Sequence, residues 1–294
     1  MVLPVTNQWQ CLPTQVPLLD SNSKYVTYYE GTLPLILAAP HGGRLFPTSI
    51  PDRTAGNGTV TVTDAYTKDV VLAIAKKIRE RTGESPHVVL LQLARTKVDV
   101  NREKSEASDS DAGQMVWQEY HNTIQYALEK VNQNHNAGLF IDIHGHGHPE
   151  NWIELGYLLD NQTLQLSDEE LDHSKAKSEA SIQNLSKRYP DIMFSSFLRG
   201  NSSLGTRLAS THHLRTTPSK QEPNPSQIKK YFSGGYCTQA YGSRDSGDFD
   251  AIQIELPKPL RFSASGRDQV TTALCESLAW MLQTFYHVDM RAKM

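Results

Sequence analysis

The stretch Gly138-Leu139-Phe140-Ile141-Asp142-Ile143-His144-Gly145-His146-Gly147-His148 decides how this chain is read. An apolar run ends on an aspartate and a histidine and then breaks into glycines. Such a run, closed by turn residues, reads as a buried strand followed by a tight turn. Leu35-Ile36-Leu37-Ala38-Ala39-Pro40-His41-Gly42-Gly43 has the same form earlier in the chain. Open α/β sheets bind ligands at the carboxyl ends of their strands. Two histidines distant in sequence are therefore expected at one edge of one sheet.

The remaining pattern supports that sheet. Strands are expected over 33–40, 87–93, 138–144, 153–159 and 250–256, and helices over 65–81, 113–134, 167–188, 201–210 and 267–286. In the first helix Val70, Val71, Ile74, Ala75 and Ile78 recur at helical spacing, with Lys76, Lys77, Arg79 and Glu80 on the other side. Strands alternating with helices imply an α/β fold, a single mixed central sheet with helices on both faces. The 294 residues are expected to form a single domain. Residues 1–31 read as an irregular wrap, and 215–250, rich in Pro, Ser and Gly, as a long loop lining the site.

Composition excludes several classes. The chain is 38% hydrophobic and 21% charged with a net charge of −3, so no basic field argues for nucleic acid or an anionic membrane. No apolar run approaches the roughly 20 residues of a membrane helix. Cys11, Cys237 and Cys275 form no CxxC pair, which argues against a thiolate zinc site and for a reducing compartment. Without a signal-like start, a cytoplasmic location is expected. The oligomeric state is left open.

Catalytic zinc takes three protein ligands from His and carboxylate. His41 and His144 are the first two, with His146 and His148 competing for the second place. Asp142, two residues before His144, is suited to orient a ligand imidazole. The position three after His41 is Arg44, so the carboxylate has to come from elsewhere. Asp64, just before a helix start, is the choice, with Asp69 in reserve. The competing reading of Asp64 is a plain helix cap. The run Arg95-Thr96-Lys97-Val98-Asp99-Val100-Asn101-Arg102 follows a strand. Arg102 with Asn101 suits a substrate carboxylate, Arg95 suits a carbonyl or oxyanion, and Asp99 can pin a guanidinium. The competing reading is a salt-bridge cluster that fixes a loop. Late in the chain, Gln253-Ile254-Glu255 places a carboxylate at a strand end, where it can act as general base and acid. Pairing to Lys258 is the alternative there.

In this order, Pro40-His41-Gly42-Gly43, Asp64-x-x-Thr67, Arg95 with Val98-Asp99-Val100-Asn101-Arg102, Ile141-Asp142-Ile143-His144, Gly234-Gly235-Tyr236 and Gln253-Ile254-Glu255 resemble the N-formylglutamate amidohydrolase family. The likeness spans about residues 30 to 260. It implies the phosphorylase/hydrolase-like fold of zinc carboxypeptidases and aspartoacylases, one zinc ion, and hydrolysis of an amide next to a carboxylate. By that likeness Asn101 and Arg102 hold the substrate acid, Arg95 sits near the scissile carbonyl, and Glu255 is the general base. Arg199, Gly235 and Tyr236 then line the substrate pocket. The expected substrate is an N-acyl amino acid or short peptide. A carboxypeptidase-like enzyme trimming a larger chain uses the same groups, and a non-catalytic metal- or carboxylate-binding module is the alternative from another class.

Overall fold

The computed structural model describes residues 24–54, 56, 59–225, 230–245 and 247–291. Among these, seven strands form one sheet: β1 (Val26–Tyr29), β2 (Leu35–Ala39), β3 (His87–Leu91), β4 (Gly138–Gly145), β5 (Ile153–Gly156), β6 (Thr216–Thr217) and β7 (Phe249–Leu256). Their order is β1-β3-β2-β4-β7-β5-β6. β3, β2, β4 and β7 are parallel to one another, β1 and β5 join them antiparallel, and β6 runs parallel to β5. This is the mixed α/β sheet expected.

The parallel strands are buried on both faces, which is why they read as continuous apolar runs rather than alternations. One face packs under the Thr67–Thr82, Leu204–His212 and Ala264–Phe285 helices, and that core includes Leu37, Ile74, Ile141, Ile254 and Leu278. The other face carries the Asp111–Asn134 helix and the short Tyr236–Tyr241 helix, over Ile36, Val89, Tyr120, Phe140 and Tyr241. None of the helices searched is long and apolar enough to cross a membrane.

Four expectations change. Val26–Tyr29 is a strand rather than part of an irregular wrap, and the rest of that wrap, residues 1–23, lies outside the described residues. The helix expected over 167–188 is three short ones, Asp168–His173, Ala176–Glu179 and Gln183–Arg188. The last break has a cause. Ser181 bonds into the sheet region, its N–H to the Tyr157 carbonyl and its hydroxyl to the Ala251 carbonyl, which no continuous helix permits. The strand expected over 153–159 stops at Gly156. The segment 215–250 is not one loop: it contains β6, the Tyr236–Tyr241 helix and a 3-10 turn at Ser243–Asp245.

Candidate metal centre

The carboxyl ends of β2, β3, β4 and β7 converge on a cluster of buried polar groups. His41 follows β2, the Arg95–Arg102 loop follows β3, His144 closes β4 and Glu255 closes β7. Parallel pairing sets His144 directly beside Glu255. The glycine pair after His41 serves close backbone approach. A Cβ at Gly43 would lie 2.3 Å from the Leu93 carbonyl oxygen, and one at Gly42 would lie 2.8 Å from the amide of Lys68. His41 is thereby pressed between the end of β3 and the start of the Thr67–Thr82 helix.

Asp64 completes the group. Its amide donates to the His41 carbonyl at 2.9 Å, and its carboxylate turns inward, accepting the Gly145 amide at 3.2 Å. It does not cap the helix; that position is Tyr66, in a left-handed conformation with no side-chain cap. Asp69 is exposed on the helix and plays no part. Asp64 Oδ2 stands 3.4 Å from His41 Nδ1 and 3.2 Å from His144 Nδ1. One ligand atom from each of the three lies within 4.8 Å of the other two.

The outer nitrogen of each imidazole is held by its own buried aspartate. His41 Nε2 is 2.7 Å from Asp99 Oδ1, and His144 Nε2 is 2.9 Å from Asp142 Oδ2. A carboxylate acceptor fixes the proton on Nε2 and turns the Nδ1 lone pair inward. With both protons on Nε2, two imidazole lone pairs and a carboxylate oxygen face one another, which is repulsive unless a proton on His144 Nδ1, 3.2 Å from Asp64 Oδ2, or a cation lies between them. His41 Nδ1 is buried and has no hydrogen-bond partner. Burial disfavours a charged His144, yet the carboxylates of Asp142, Asp64 and Glu255 push its pKa well above the ordinary histidine value. Burial likewise opposes charge on Asp64, but the neighbouring His144 and His41 imidazoles hold it well below the usual carboxylate range. The environment therefore favours positive charge at the point where the three groups meet, and the donor set fits a zinc-type ion.

The other histidines are committed elsewhere. His146 accepts the His148 amide at Nδ1 and meets the Trp152 carbonyl through Nε2, so no lone pair remains for a metal. His148 pairs with Glu154, which also accepts the Trp152 indole and the Phe232 amide. His121 is a core residue, bonded to Tyr241 and to the Val100 carbonyl.

Around the three ligand candidates stand the remaining expected groups. Glu255 is buried and accepts from Gln253 at 3.1 Å. Burial pushes its carboxyl up to about 8, with the Asp64 and Glu154 carboxylates adding to the rise and His144 and Arg95 opposing it. Arg95 donates through Nε to Asp99 at 2.9 Å, and its Nη1 lies 3.8 Å from Asp64. Asp99 thus holds His41 and Arg95 at once. Asn101 is buried, its Oδ1 accepting the Cys237 amide at 2.8 Å and its Nδ2 3.4 Å from His144 Nε2. Gly235 packs against it, for a Cβ there would fall 2.3 Å from the Asn101 amide nitrogen. Arg102 is exposed at the loop end. Tyr236 packs its ring against Trp117 and His121.

Arg199 donates to Asp168 and to the carbonyls of Leu164, Leu166 and Pro223, and it lines a cavity with Asp168, Ser196 and Lys220 that includes none of the groups above. Two site neighbours escape sequence reasoning. Arg53 bonds the carbonyls of Val60 and Arg95, and Arg261 reaches two carbonyls at strand ends and one in the loop before the Thr67–Thr82 helix.

The chain resembles a crystal structure of N-formylglutamate amidohydrolase from Ralstonia eutropha JMP134, with a TM-score of 0.54 and 13% identity over 90% of this chain and 98% of that one. The fold is the one seen in that protein. A gene product from Agrobacterium tumefaciens matches similarly, with a TM-score of 0.52 and 12% identity over 89% and 96% of the two chains. No family model matches the sequence, and no curated protein does.

Proposed function

We propose that this chain is a zinc-dependent amidohydrolase acting on an amide next to a carboxylate, in an N-acyl amino acid or short peptide. The observation that carries the reading is the convergence of His41 Nδ1, His144 Nδ1 and Asp64 Oδ2, each imidazole backed by a buried aspartate, with Glu255 on the adjoining strand. The likeness in fold to a solved N-formylglutamate amidohydrolase supports it. His41, Asp64 and His144 would hold the metal, which supplies a Lewis acid for the amide carbonyl and eases deprotonation of water. Glu255 takes the proton from the attacking water and returns it to the departing amine. Arg95, fixed by Asp99, keeps part of its guanidinium for the charge that develops on the carbonyl oxygen. Arg102, exposed at the loop end, pairs with the substrate carboxylate, while Asn101 and Gly235 pack that loop against His144. The buried free thiols of Cys237 and Cys275 fit a reducing, cytoplasmic setting.

The test has two parts. Protein purified without chelator should contain about one zinc per chain on this single-site reading. A panel of N-formyl, N-acetyl and longer N-acyl amino acids, with matching carboxamides, should yield free amine from the acids and far less from the carboxamides. Glu255→Gln should keep its zinc and lose about a hundredfold or more in rate. A wild-type protein without zinc, or a Glu255→Gln variant of normal rate, overturns the reading.

A further inference from the structure

Arg261 is 3% exposed, and each nitrogen of its guanidinium is spent on a backbone carbonyl. Nε donates to Leu256 at 2.9 Å, Nη1 to Ala65 at 2.6 Å and Nη2 to His146 at 3.0 Å. These three carbonyls are not scattered. Leu256 directly follows Glu255, Ala65 directly follows Asp64, and His146 lies two residues beyond His144. One planar cation therefore joins the end of β7, the loop before the Thr67–Thr82 helix and the end of β4. The β4 and β7 ends are also linked directly, by the His146 amide on the Leu256 carbonyl. The Ala65 loop joins no strand ladder: Arg261 and the Asp64 carboxylate tie it to these two ends, the Asp64 amide ties it to the His41 carbonyl, and the Tyr66 ring meets Phe262 and Arg267.

Two further observations fit. Gly145 follows His144, and a Cβ built on it would lie 2.2 Å from Arg261 Cζ, so the glycine makes room for the guanidinium. The Asp64 and Glu255 carboxylates both act electrostatically on the Arg261 charge. Arg261 is thus a fixed positive charge behind two groups that carry the chemistry.

We infer that Arg261 is a positioning residue that sets the spacing of Asp64, His144 and Glu255 through the carbonyls beside them. The inference rests on the metal-centre reading above. Arginine suits the task because its fork of donors has fixed geometry, whereas a lysine ammonium is a single point that cannot span three carbonyls in one plane.

The experiment compares wild type, Arg261→Lys and Arg261→Met, with Arg207→Met as control. Arg207 stands on the Leu204–His212 helix, its guanidinium over the Trp280 ring and bonded to none of the three carbonyls. Zinc affinity is measured by competition with a chromophoric chelator, and the visible spectrum is recorded with cobalt in place of zinc. Outer groups that orient metal ligands typically contribute about 10- to 100-fold in affinity. Arg261→Met should lose that much and change the cobalt spectrum, Arg261→Lys should fall between, and Arg207→Met should match wild type. If Arg261→Met fails to fold, Arg261→Lys carries the comparison, with at least a threefold loss expected. Wild-type zinc affinity and cobalt spectrum in the folded variants, whatever their melting temperatures, overturn the inference and leave the metal centre standing. A wild-type protein that binds neither metal overturns both.

Discussion

His41 Nδ1 is a single nitrogen without a partner in a buried place, and it carries much of the metal argument. Its state depends on Asp99, which takes the proton side of the ring. Asp99→Asn preserves shape but offers an amide that can point either its oxygen or its nitrogen at Nε2. The ring then loses its fixed tautomer, and zinc affinity should fall about 10- to 100-fold. Equilibrium competition with a chelator reads this directly, and an unchanged affinity would show that Asp99 serves only Arg95. His41, Asp64 and His144 were legible as candidates because each sits where a strand or helix boundary falls in the sequence. The bond from His41 to Asp99 was not, since nothing local to either residue names the other. The partners of Arg199 are opaque for the complementary reason: an arginine in a polar run gives no sign of which carbonyls will claim it.

The strands that carry the site are read easily at the level of elements. β2, β3, β4 and β7 are apolar runs buried on both faces, and the Thr67–Thr82, Asp111–Asn134 and Ala264–Phe285 helices show their apolar stripes. β6 has two residues, too few to show a period, and the break at Ser181 depends on sheet contacts from distant chain. Gly43 tests how tightly two elements fix a ligand. A methyl there meets backbone of Gln92 and Leu93, which cannot turn aside as a side chain would. Gly43→Ala should therefore part the ends of β2 and β3, costing about 1–3 kcal/mol of stability and weakening zinc binding through His41. Thermal unfolding and zinc titration of the variant check both effects, and normal values in both would mean that the loop yields without cost.

Across the whole molecule, acid stability should depend on a histidine outside the candidate metal centre. His87 is 2% exposed, accepts from the Tyr28 hydroxyl and the Gly31 amide at Nδ1, and burial holds its pKa down at about 4. The folded state keeps it neutral, while the unfolded chain binds a proton near pH 6.5. The stability it contributes is full above about pH 6.5 and is lost as pH falls toward 4, up to about 3 kcal/mol. Urea unfolding with chelator present should show that loss, and His87→Phe should flatten the slope over the same window while lowering stability at neutral pH. An unchanged slope would assign the acid sensitivity to other groups. The order of strands has its own consequence, in the sequence of events at the ribosome. β7 lies in the interior of the sheet, between β4 and β5, yet among the described residues it is the last strand to be synthesised. β5 and β6 emerge earlier and have no other route into the sheet. A nascent chain halted before Phe249 holds both histidines and Asp64 but neither Glu255 nor the strand that joins the two halves. On the proposed reading a partly made chain thus lacks its base, and the site is complete only when the sheet closes.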